Sequence, residues 1–306
     1  MTHLLSRRSL LRVAAALPFA APGLARAAAP MLGAELPPWR RFRLGAFEVT
    51  TLLAATVTRP DPHAIFGVDV SDEEFARVSA QALLPTDAAQ FFFTPTLVNT
   101  GARLVLFDAG LDPDGITRAL AAAGNTPEQV DLVVITHMHR DHIGGLRGDG
   151  DGSDTFVNAA YATGRVEFDA WAKMENAGFE GKVRPLAGRM TMMEDGASLF
   201  AGHTAMAAFG HTPGHMVHML ESAGKRLLIA ADFANHPVWS LAHPDWQVKF
   251  DMDKVAAAAT RRRLLGMLAA EKLPFVGYHM PWPGTGFVER AGSGYRHVPT
   301  SYQLML

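Results

Sequence analysis

Four side chains able to bind metal ions lie within six residues of one another near the middle of the chain. These are His137, His139, Asp141 and His142, and they follow directly after the apolar run 132–135, which has the pattern of a buried strand. Three imidazoles and a carboxylate this close cannot all reach one ion from the same side, although they can serve two neighbouring ions. A lone histidine is usually a structural or surface residue, but this cluster, in a strand-then-turn context, indicates a metal site.

The spacing within the cluster predicts a division between two ions. Side chains alternate along an extended segment, so His137 and His139 face the same way. Asp141 and His142 come a step later, where we expect the chain to turn into a helix, and they face a second ion.

Residues further along the chain are candidates for the additional ligands that two ions require. His211 and His215 enclose Thr-Pro-Gly between two predicted strands, and Asp232 follows the apolar run 227–231. His279 closes the predicted strand that begins at Phe275. Each lies where a loop leaves a rigid sheet, which is where binding sites are commonly found.

The elements that must position these residues alternate between strand and helix patterns. Strands are predicted over 44–57, 91–98, 103–107, 132–135, 204–209, 216–221, 226–230 and 275–280, and helices over 112–123, 167–177 and 252–272, with another helix beginning after its cap Ser71. This order favours an α/β fold with a mixed sheet. The Gly- and Asp-rich segment 148–154 fails the calcium-loop template, and we interpret it as a solvated loop.

The N-terminus has the pattern of an export signal. Residues 6–12 contain a twin-arginine pattern, an apolar stretch follows over 13–24, and residues 25–27 fit a cleavage site. We therefore expect residues 1–27 to be a twin-arginine export signal, residues 28–40 a linker or N-terminal arm, and residues 41–306 a single domain. The expected location is periplasmic or secreted.

Composition excludes several classes of protein. The predicted signal contains four arginines and no acidic residue, so removing it takes the net charge from −2 to −6. A chain of this charge without a basic patch is not expected to bind nucleic acid. The rest of the sequence has no apolar stretch of membrane-spanning length, so no membrane span is expected. There is no cysteine, which leaves histidine and carboxylates as the metal ligands.

The order His-x-His-x-Asp-His, a distal His, an Asp and a last His resembles the metallo-β-lactamase superfamily of two-metal hydrolases. The resemblance extends over nearly all of residues 41–306, including segments 97–101 and 104–110. It implies an αββα sandwich with a dinuclear metal site at one edge of the two sheets. Within the superfamily, segments 278–284 and 294–299 are most similar to the methyl parathion hydrolase and dihydrocoumarin lactonase group.

Carried over residue by residue, the resemblance implies seven ligands for two divalent metal ions. The implied ligands are His137, His139 and His215 for one ion, Asp141, His142 and His279 for the other, and Asp232 as the bridge. Asp108 and His211 would lie behind the ligands and orient them. Zinc is the expected metal, and manganese, cobalt and iron suit the same donors.

Such a site implies hydrolysis by a metal-bridging hydroxide, which attacks a lactone or aryl ester and also organophosphate triesters. Asp141 and Asp232 are the predicted catalytic residues, and Asp141 would also pass a proton to the leaving group. The expected substrate is a small apolar ester, lactone or phosphotriester. The candidate pocket residues are Phe92, Trp171, Phe179 and Trp282.

The sequence leaves other functions open. A glyoxalase-II-like thioesterase shares the ligand set, whereas a β-lactamase is less favoured because its commonest zinc sites contain Cys. A non-catalytic metal-binding or redox protein is disfavoured, since Met138 and Arg140 flank the histidines where a diiron relative would carry Glu. A homodimer is also left open.

Overall fold

Two β-sheets form the centre of the fold, in a computed structural model that describes residues 31, 33–149 and 152–305. The predicted export signal, residues 1–27, lies outside the described residues. Contacts group Pro37–Leu306 into one compact unit. The first strand begins at Trp39, inside the segment predicted as a linker.

The strands and helices are defined as follows. The strands are β1 (Trp39–Leu44), β2 (Phe47–Leu52), β3 (Ala55–Pro60), β4 (Ala88–Phe93), β5 (Thr96–Asn99), β6 (Leu104–Phe107), β7 (Leu132–Ile135), β8 (Ala160–Gly164), β9 (Met190–Met193), β10 (His203–Ala207), β11 (Met216–Ser222), β12 (Lys225–Ala231), β13 (Phe275–Gly277), β14 (Thr285–Ala291) and β15 (Gly294–Pro299). The α-helices are α1 (Asp72–Gln81), α2 (Pro113–Ala122), α3 (Arg140–Ile143), α4 (Arg165–Trp171) and α5 (Lys254–Glu271).

Both large sheets are mixed, as the strand and helix order predicts. The first has the order β1-β2-β5-β6-β7-β8-β9, and the second has the order β10-β11-β12-β13-β14-β15. Strands β6, β7, β8 and β9 run parallel to one another, and so do β12 and β13. Parallel neighbours end at the same sheet edge, so the loops that follow them converge there.

Three buried apolar layers alternate with the sheets and give an αββα sandwich, which confirms the predicted fold. Alternation along β7 shows the arrangement: Val133 and Ile135 pack in the layer shared with α2, while Leu132 and Val134 pack between the two sheets. The third layer lies between the second sheet and α5. Because both faces of β7 are covered, all four of its residues are apolar.

Polar caps begin the long helices where the sequence places them. The Ser71 side chain accepts a hydrogen bond from the backbone of Glu74 at the start of α1, and Asp112 does the same for α2. Asp253 caps α5. The structure differs from prediction in the length of α4, which ends at Trp171, and in four strands without a clear sequence signal, β8, β9, β14 and β15.

The separate hairpin β3–β4 and helix α1 form an aromatic cover beside the first sheet. Their buried residues include Phe75, Phe91 and Phe93, which share one cluster with Trp239 and Tyr278. This cluster places aromatic side chains next to the loop that follows β13. No helix among the described residues combines the length and apolarity that a membrane crossing demands.

Candidate metal centre

The loops after β6 and β7 bring the first histidines to the sheet edge. Asp108 follows β6 with a left-handed backbone, φ 62°, and its carboxylate accepts hydrogen bonds from the Thr136 backbone (2.9 Å) and hydroxyl. The Thr136 hydroxyl lies 3.1 Å from Nδ1 of His137. Because the hydroxyl hydrogen is directed to Asp108, His137 donates through Nδ1 and presents Nε2 to the site.

Helix α3 carries the second half of the local cluster, with His139 at its N-cap. The helix lies against the backbone that follows β6, and the Ala109 N–H donates to the His142 carbonyl at 2.8 Å. A Cβ on Gly144 or Gly145 would come within 2.0 Å of a carbonyl oxygen of that segment. The two glycines after the His cluster therefore permit this close approach.

Three imidazole nitrogens form the first group of candidate ligands. Nδ1 of His139 lies 3.2 Å from Nε2 of His137 and 3.0 Å from Nε2 of His211. All three atoms belong to one group that is compact enough to hold an ion. His211 thus takes the place that the sequence-based assignment gave to His215.

His215 lies behind this group. Its Nε2 accepts a hydrogen bond from the Asp232 backbone at 3.1 Å, so that nitrogen is used to position Asp232. The local structure explains why His211 and not His215 faces the group. A tight Thr-Pro-Gly turn separates the two histidines. Gly214 in this turn packs so closely on α4 that a Cβ would lie 2.0 Å from the Glu167 nitrogen. Spacing alone does not decide which end of such a turn faces the site.

The second group joins two carboxylates to two imidazoles: Asp141, His142, Asp232 and His279. Nε2 of His279 lies 3.1 Å from Asp232 Oδ2 and 3.2 Å from Asp141 Oδ2. Nε2 of His142 lies 3.4 Å from Asp232 Oδ1. Asp232 Oδ2 is also 3.4 Å from Nε2 of His211, so this carboxylate lies between the two groups.

Buried atoms without a partner show that the donor set fits metal ions. Nε2 of His142 and Oδ1 of Asp232 are both buried and form no hydrogen bond. A buried polar atom of this kind is costly unless something compensates it. Imidazole nitrogens and carboxylate oxygens are the donors that zinc and related divalent ions accept.

Burial and charge act in opposite directions on the imidazoles of the two groups. Burial lowers the pKa of His139 to about 3 and the pKa of His137 well below its usual value, so both are neutral and able to bind metal. Around His279, burial opposes the charged form, but Asp232 and Asp141 raise the pKa to about 10. Asp108 and Asp232 likewise raise the pKa of His142 against the effect of burial.

Hydrogen bonds behind the ligands fix which ring nitrogen faces the site. His142 donates through Nδ1 to Asp108 at 2.8 Å, in agreement with the position predicted for Asp108. His279 donates through Nδ1 to the Phe92 carbonyl at 2.9 Å. His211 donates through Nδ1 to Asp251 at 2.8 Å, a contact that the sequence analysis did not anticipate.

Three further residues support the site and were missed in the sequence. Arg261 is fully buried on α5 and donates to Asp251 at 2.6 Å. Glu167 accepts hydrogen bonds from the Met138 and Gly214 backbones, so it joins the two loops that carry histidines. Tyr278 donates to the Asp141 carbonyl at 2.5 Å and stacks on His142. Glu167 and Arg261 are charged residues within predicted helices and Tyr278 lies in a predicted strand, but no pattern in the sequence shows that they are buried beside the site.

A cavity of about 280 Å³ opens onto both ligand groups. Its apolar walls come from Phe91, Phe93, Leu111 and Phe250. Because side chains alternate along β4, Phe91 and Phe93 face the cavity and Phe92, the predicted pocket residue, faces away.

The other predicted pocket residues are placed differently. Trp171 lies edge-on to His139, with ring centres 5.9 Å apart, and lines a neighbouring groove instead. Phe179 is fully buried in the layer beneath the first sheet. Trp282 is half-buried and is absent from the described lining of the cavity. Phe92, Phe179 and Trp282 are therefore not among the residues that line this cavity.

Residues 94–279 match the family model of the metallo-beta-lactamase superfamily, and they span more than half of the chain. The chain belongs to this superfamily. The match begins at β5 and ends at His279, so it includes all seven residues of the two ligand groups.

Solved structures of this superfamily fold superpose on most of the chain. The dizinc quorum-quenching lactonase AidC, in complex with a product N-hexanoyl-homoserine, has a TM-score of 0.80 at 23% identity, over 87% of this chain and 98% of that one. The hydrolase AbOPH has a TM-score of 0.81 at 23% identity, over 88% and 100% of the two chains. At this identity the likeness shows the fold.

Curated relatives match a shorter region. The exodeoxyribonuclease WalJ of Streptococcus pneumoniae is 35% identical over 88 residues, which is 28% of this chain and 29% of the relative. The ribonuclease TTHA0252 of Thermus thermophilus is 28% identical over 148 residues, 45% of this chain and 34% of the relative. This chain thus spans about a third of the length of the curated relatives that it matches.

Proposed function

We propose that the protein is a dinuclear metal-dependent hydrolase that opens lactones or cleaves aryl esters. One observation carries the proposal: two groups of ligand atoms, with Asp232 between them, form one side of a small cavity whose other walls are mostly aromatic and aliphatic. In a superfamily of metal-dependent hydrolases, this arrangement suits an apolar ester better than a highly charged polymer.

We assign one metal to His137, His139 and His211, and the other to Asp141, His142 and His279, with Asp232 shared. Divalent cations, when held by these residues, would supply Lewis acidity for the scissile carbonyl and would make a water molecule easier to deprotonate. We expect zinc, which the dizinc AidC structure supports by fold alone.

The side chains of the protein supply orientation, water exclusion and proton transfer. Asp141 lines the cavity and remains partly exposed, with a side-chain exposure of 20%. It is thus placed to accept a proton and return it to the leaving group. We expect Asp141→Asn to lower kcat by at least about 100-fold, and full turnover with intact metal content would contradict this role.

The apolar walls limit the space beside the metal ligands. Phe91 and Phe93 each contact the His279 ring edge-on, with ring centres 5.5 and 5.3 Å apart. They therefore shield one side of the site from water, which strengthens electrostatic interactions within it. An acyl chain or an aryl leaving group fits such walls, and organophosphate triesters are a second substrate class of the same shape.

The similar proteins differ in the class of substrate that they suggest. AidC is described with a lactone-derived product, whereas the two curated relatives are nucleases. The net charge of −2 gives the chain no overall attraction for a polyanion such as a nucleic acid. We therefore favour the lactone or ester.

A substrate panel tests the proposal directly. The purified chain is assayed with dihydrocoumarin, an aryl acetate, an aryl phosphotriester, nitrocefin and a glutathione thioester, with metal per chain measured alongside and His137→Ala as the control. We expect two metals per chain and turnover of the first two substrates. Turnover confined to nitrocefin or the thioester would replace the proposal by a β-lactamase or a thioesterase. Two metals without any turnover would favour a metal-binding protein.

We also propose export by the twin-arginine route, from the pattern at Arg7 and Arg8 and the cleavage-site pattern at Ala27. Replacing both arginines by lysine should keep the protein in the cytoplasm. N-terminal sequencing of the exported form should begin at Ala28, and an intact N-terminus outside the cytoplasm would contradict the proposal.

A further inference from the structure

Two arginines line the cavity that opens onto the metal ligands. Arg59 lies near the end of β3 and Arg140 is the first residue of α3, and both are exposed. They come from different elements, one from the hairpin cover and one from the helix that carries Asp141. No pattern in the sequence indicates that they line one cavity.

Neither guanidinium has an ion-pair partner among the described residues, and Asp149, which interacts electrostatically with Arg140, forms its ion pair with Lys182. Within residues 33–149 and 152–305, no carboxylate forms an ion pair with either guanidinium and no hydrogen bond is formed. Other cations close to the site are paired: Arg147 with Asp154 at 2.6 Å, and Lys182 with Asp149 at 2.6 Å. Arginine offers five donors in a planar fork that suits carboxylate and other oxyanions.

The acidic residues that face the same cavity do not offset these charges. They are Asp141 and Asp232, and both belong to the ligand groups, where their charge is engaged with the imidazoles and the assigned metals. The remaining walls are Phe91, Phe93, Leu111 and Phe250, which carry no charge. The cavity thus combines apolar walls with two guanidiniums that form no ion pair with any of the residues that the structure describes.

We propose that the substrate carries an anionic group away from the scissile bond and that Arg59 and Arg140 bind it. This inference rests on the proposed ester or lactone hydrolysis and narrows its substrate class to esters of dicarboxylic acids, or lactones with an acidic substituent. The metal ligands act on the ester, the apolar walls hold the connecting chain, and the guanidiniums hold the distal oxyanion.

A matched pair of esters tests the preference. 4-Nitrophenyl pentanoate and mono-4-nitrophenyl glutarate have acyl chains of equal length. The chain of the pentanoate ends in a methyl group, and that of the glutarate ends in a carboxylate. We expect kcat/KM to favour the glutarate, and this preference to fall as ionic strength rises, because the Debye length shrinks to about 3 Å at 1 M salt. Arg59→Gln and Arg140→Gln should each reduce the preference about tenfold, mainly through KM.

Arg118→Gln is the matched control, since Arg118 is exposed on α2 and is not among the residues lining the cavity. It should retain the preference. No preference in the parent protein, or the same preference in both arginine variants as in the parent, would overturn the inference. Unchanged melting temperatures would show that the variants remain folded.

A binding measurement separates this inference from the proposed function. Calorimetric titration compares 3-phenylpropanesulfonate with 3-phenylpropanol, which share the aromatic chain and differ in the anionic group. Sulfonate binding that weakens in Arg59→Gln and Arg140→Gln supports the subsite even if neither ester is hydrolysed, in which case the hydrolase proposal alone fails. Equal binding of the two probes would overturn the subsite, whatever the activity.

Discussion

Asp232 holds the central position of the candidate site at the scale of single residues. Its Oδ2 lies 3.1 Å from His279 and 3.4 Å from His211, and so it faces both ligand groups. The residue before it, Ala231, has a left-handed backbone with φ 45° at an irregularity in the pairing of β12 with β13. A non-glycine residue in this region stores strain, which is typical of functional positions.

The different roles of His211 and His215 give the first prediction. His211→Ala removes one nitrogen of the three-imidazole group, so we expect metal content to fall by about one ion per chain, since three protein ligands are the usual minimum for a bound zinc. His215→Ala should retain both metals, because His215 contacts the Asp232 backbone. Elemental analysis of the two variants measures this.

The reverse result would contradict the assignment. Loss of metal in His215→Ala together with full metal content in His211→Ala would return His215 to the ligand set. His243→Ala is the control, because that imidazole is half-buried against Trp246 and lies outside both groups.

Asp251 and Arg261 give the second prediction. Asp251 orients His211, and although burial favours its neutral form, His211 and Arg261 keep the pKa of Asp251 below its usual value. Asp251→Asn removes the charge that favours the Nδ1–H tautomer of His211. We expect metal affinity to fall about 10- to 100-fold, measured by competition with a chelator.

A variant of an exposed ion pair controls for the loss of charge. Asp245 pairs with Arg262 on the outer side of α5, so Asp245→Asn should leave metal affinity unchanged. An unaltered metal affinity in Asp251→Asn would show that Asp251 contributes to folding alone.

At the scale of elements, Glu167 connects the two loops that carry the first ligand group. The side chain begins on α4, and its two oxygens accept hydrogen bonds from Met138, Thr212 and Gly214 at 2.8 to 2.9 Å. Burial raises the pKa of Glu167, but these three donors counter that effect. The carboxylate of Glu167 therefore holds the loop after β7 and the loop after β10 next to each other.

The third prediction concerns this connection. In Glu167→Gln an amide NH2 replaces one oxygen and faces backbone donors, so at least one buried donor loses its acceptor. We expect a loss of about 2 kcal/mol in the free energy of unfolding, measured by urea denaturation, with weaker metal binding alongside. The exposed Glu175→Gln should change stability by less than about 0.5 kcal/mol, and equal effects in the two variants would contradict the role.

At the scale of the whole molecule, a pair of buried histidines lies at the start of the second sheet. His203 on β10 and His218 on β11 are 2.9 Å apart between ring nitrogens, and neither has a carboxylate partner among the described residues. Burial lowers the pKa of His203 to about 4 and that of His218 well below its usual value. Both are therefore neutral in the folded protein at neutral pH.

The fourth prediction follows from linkage. These folded-state pKa values are lower than the unfolded value of 6.5. The folded protein therefore keeps its full free energy of unfolding above pH 6.5, where both imidazoles are neutral in either state. It loses part of that free energy as the pH falls toward 4. Each imidazole contributes a slope of about 1 kcal/mol per pH unit in that window. His218→Leu should give a shallower decline than the parent in urea denaturation at pH 7, 6 and 5. Parallel declines would contradict the account.

The sequence by itself predicted the residue types of the candidate metal site. Residue types and local spacing define His137, His139, Asp141 and His142 as a cluster, because strand alternation and a turn act over a few residues. The absence of cysteine fixed the donor type. The fold class and superfamily also followed from the sequence and are confirmed.

Only the tertiary structure decided which distant residues face the cluster. Asp232 and His279 meet because β12 and β13 are parallel neighbours, and His211 rather than His215 joins them because of how a tight turn packs on α4. The pocket walls, the Asp251–Arg261 pair and the two arginines at the cavity come from separate elements. Such contacts depend on the direction of each side chain after packing, which local patterns do not specify.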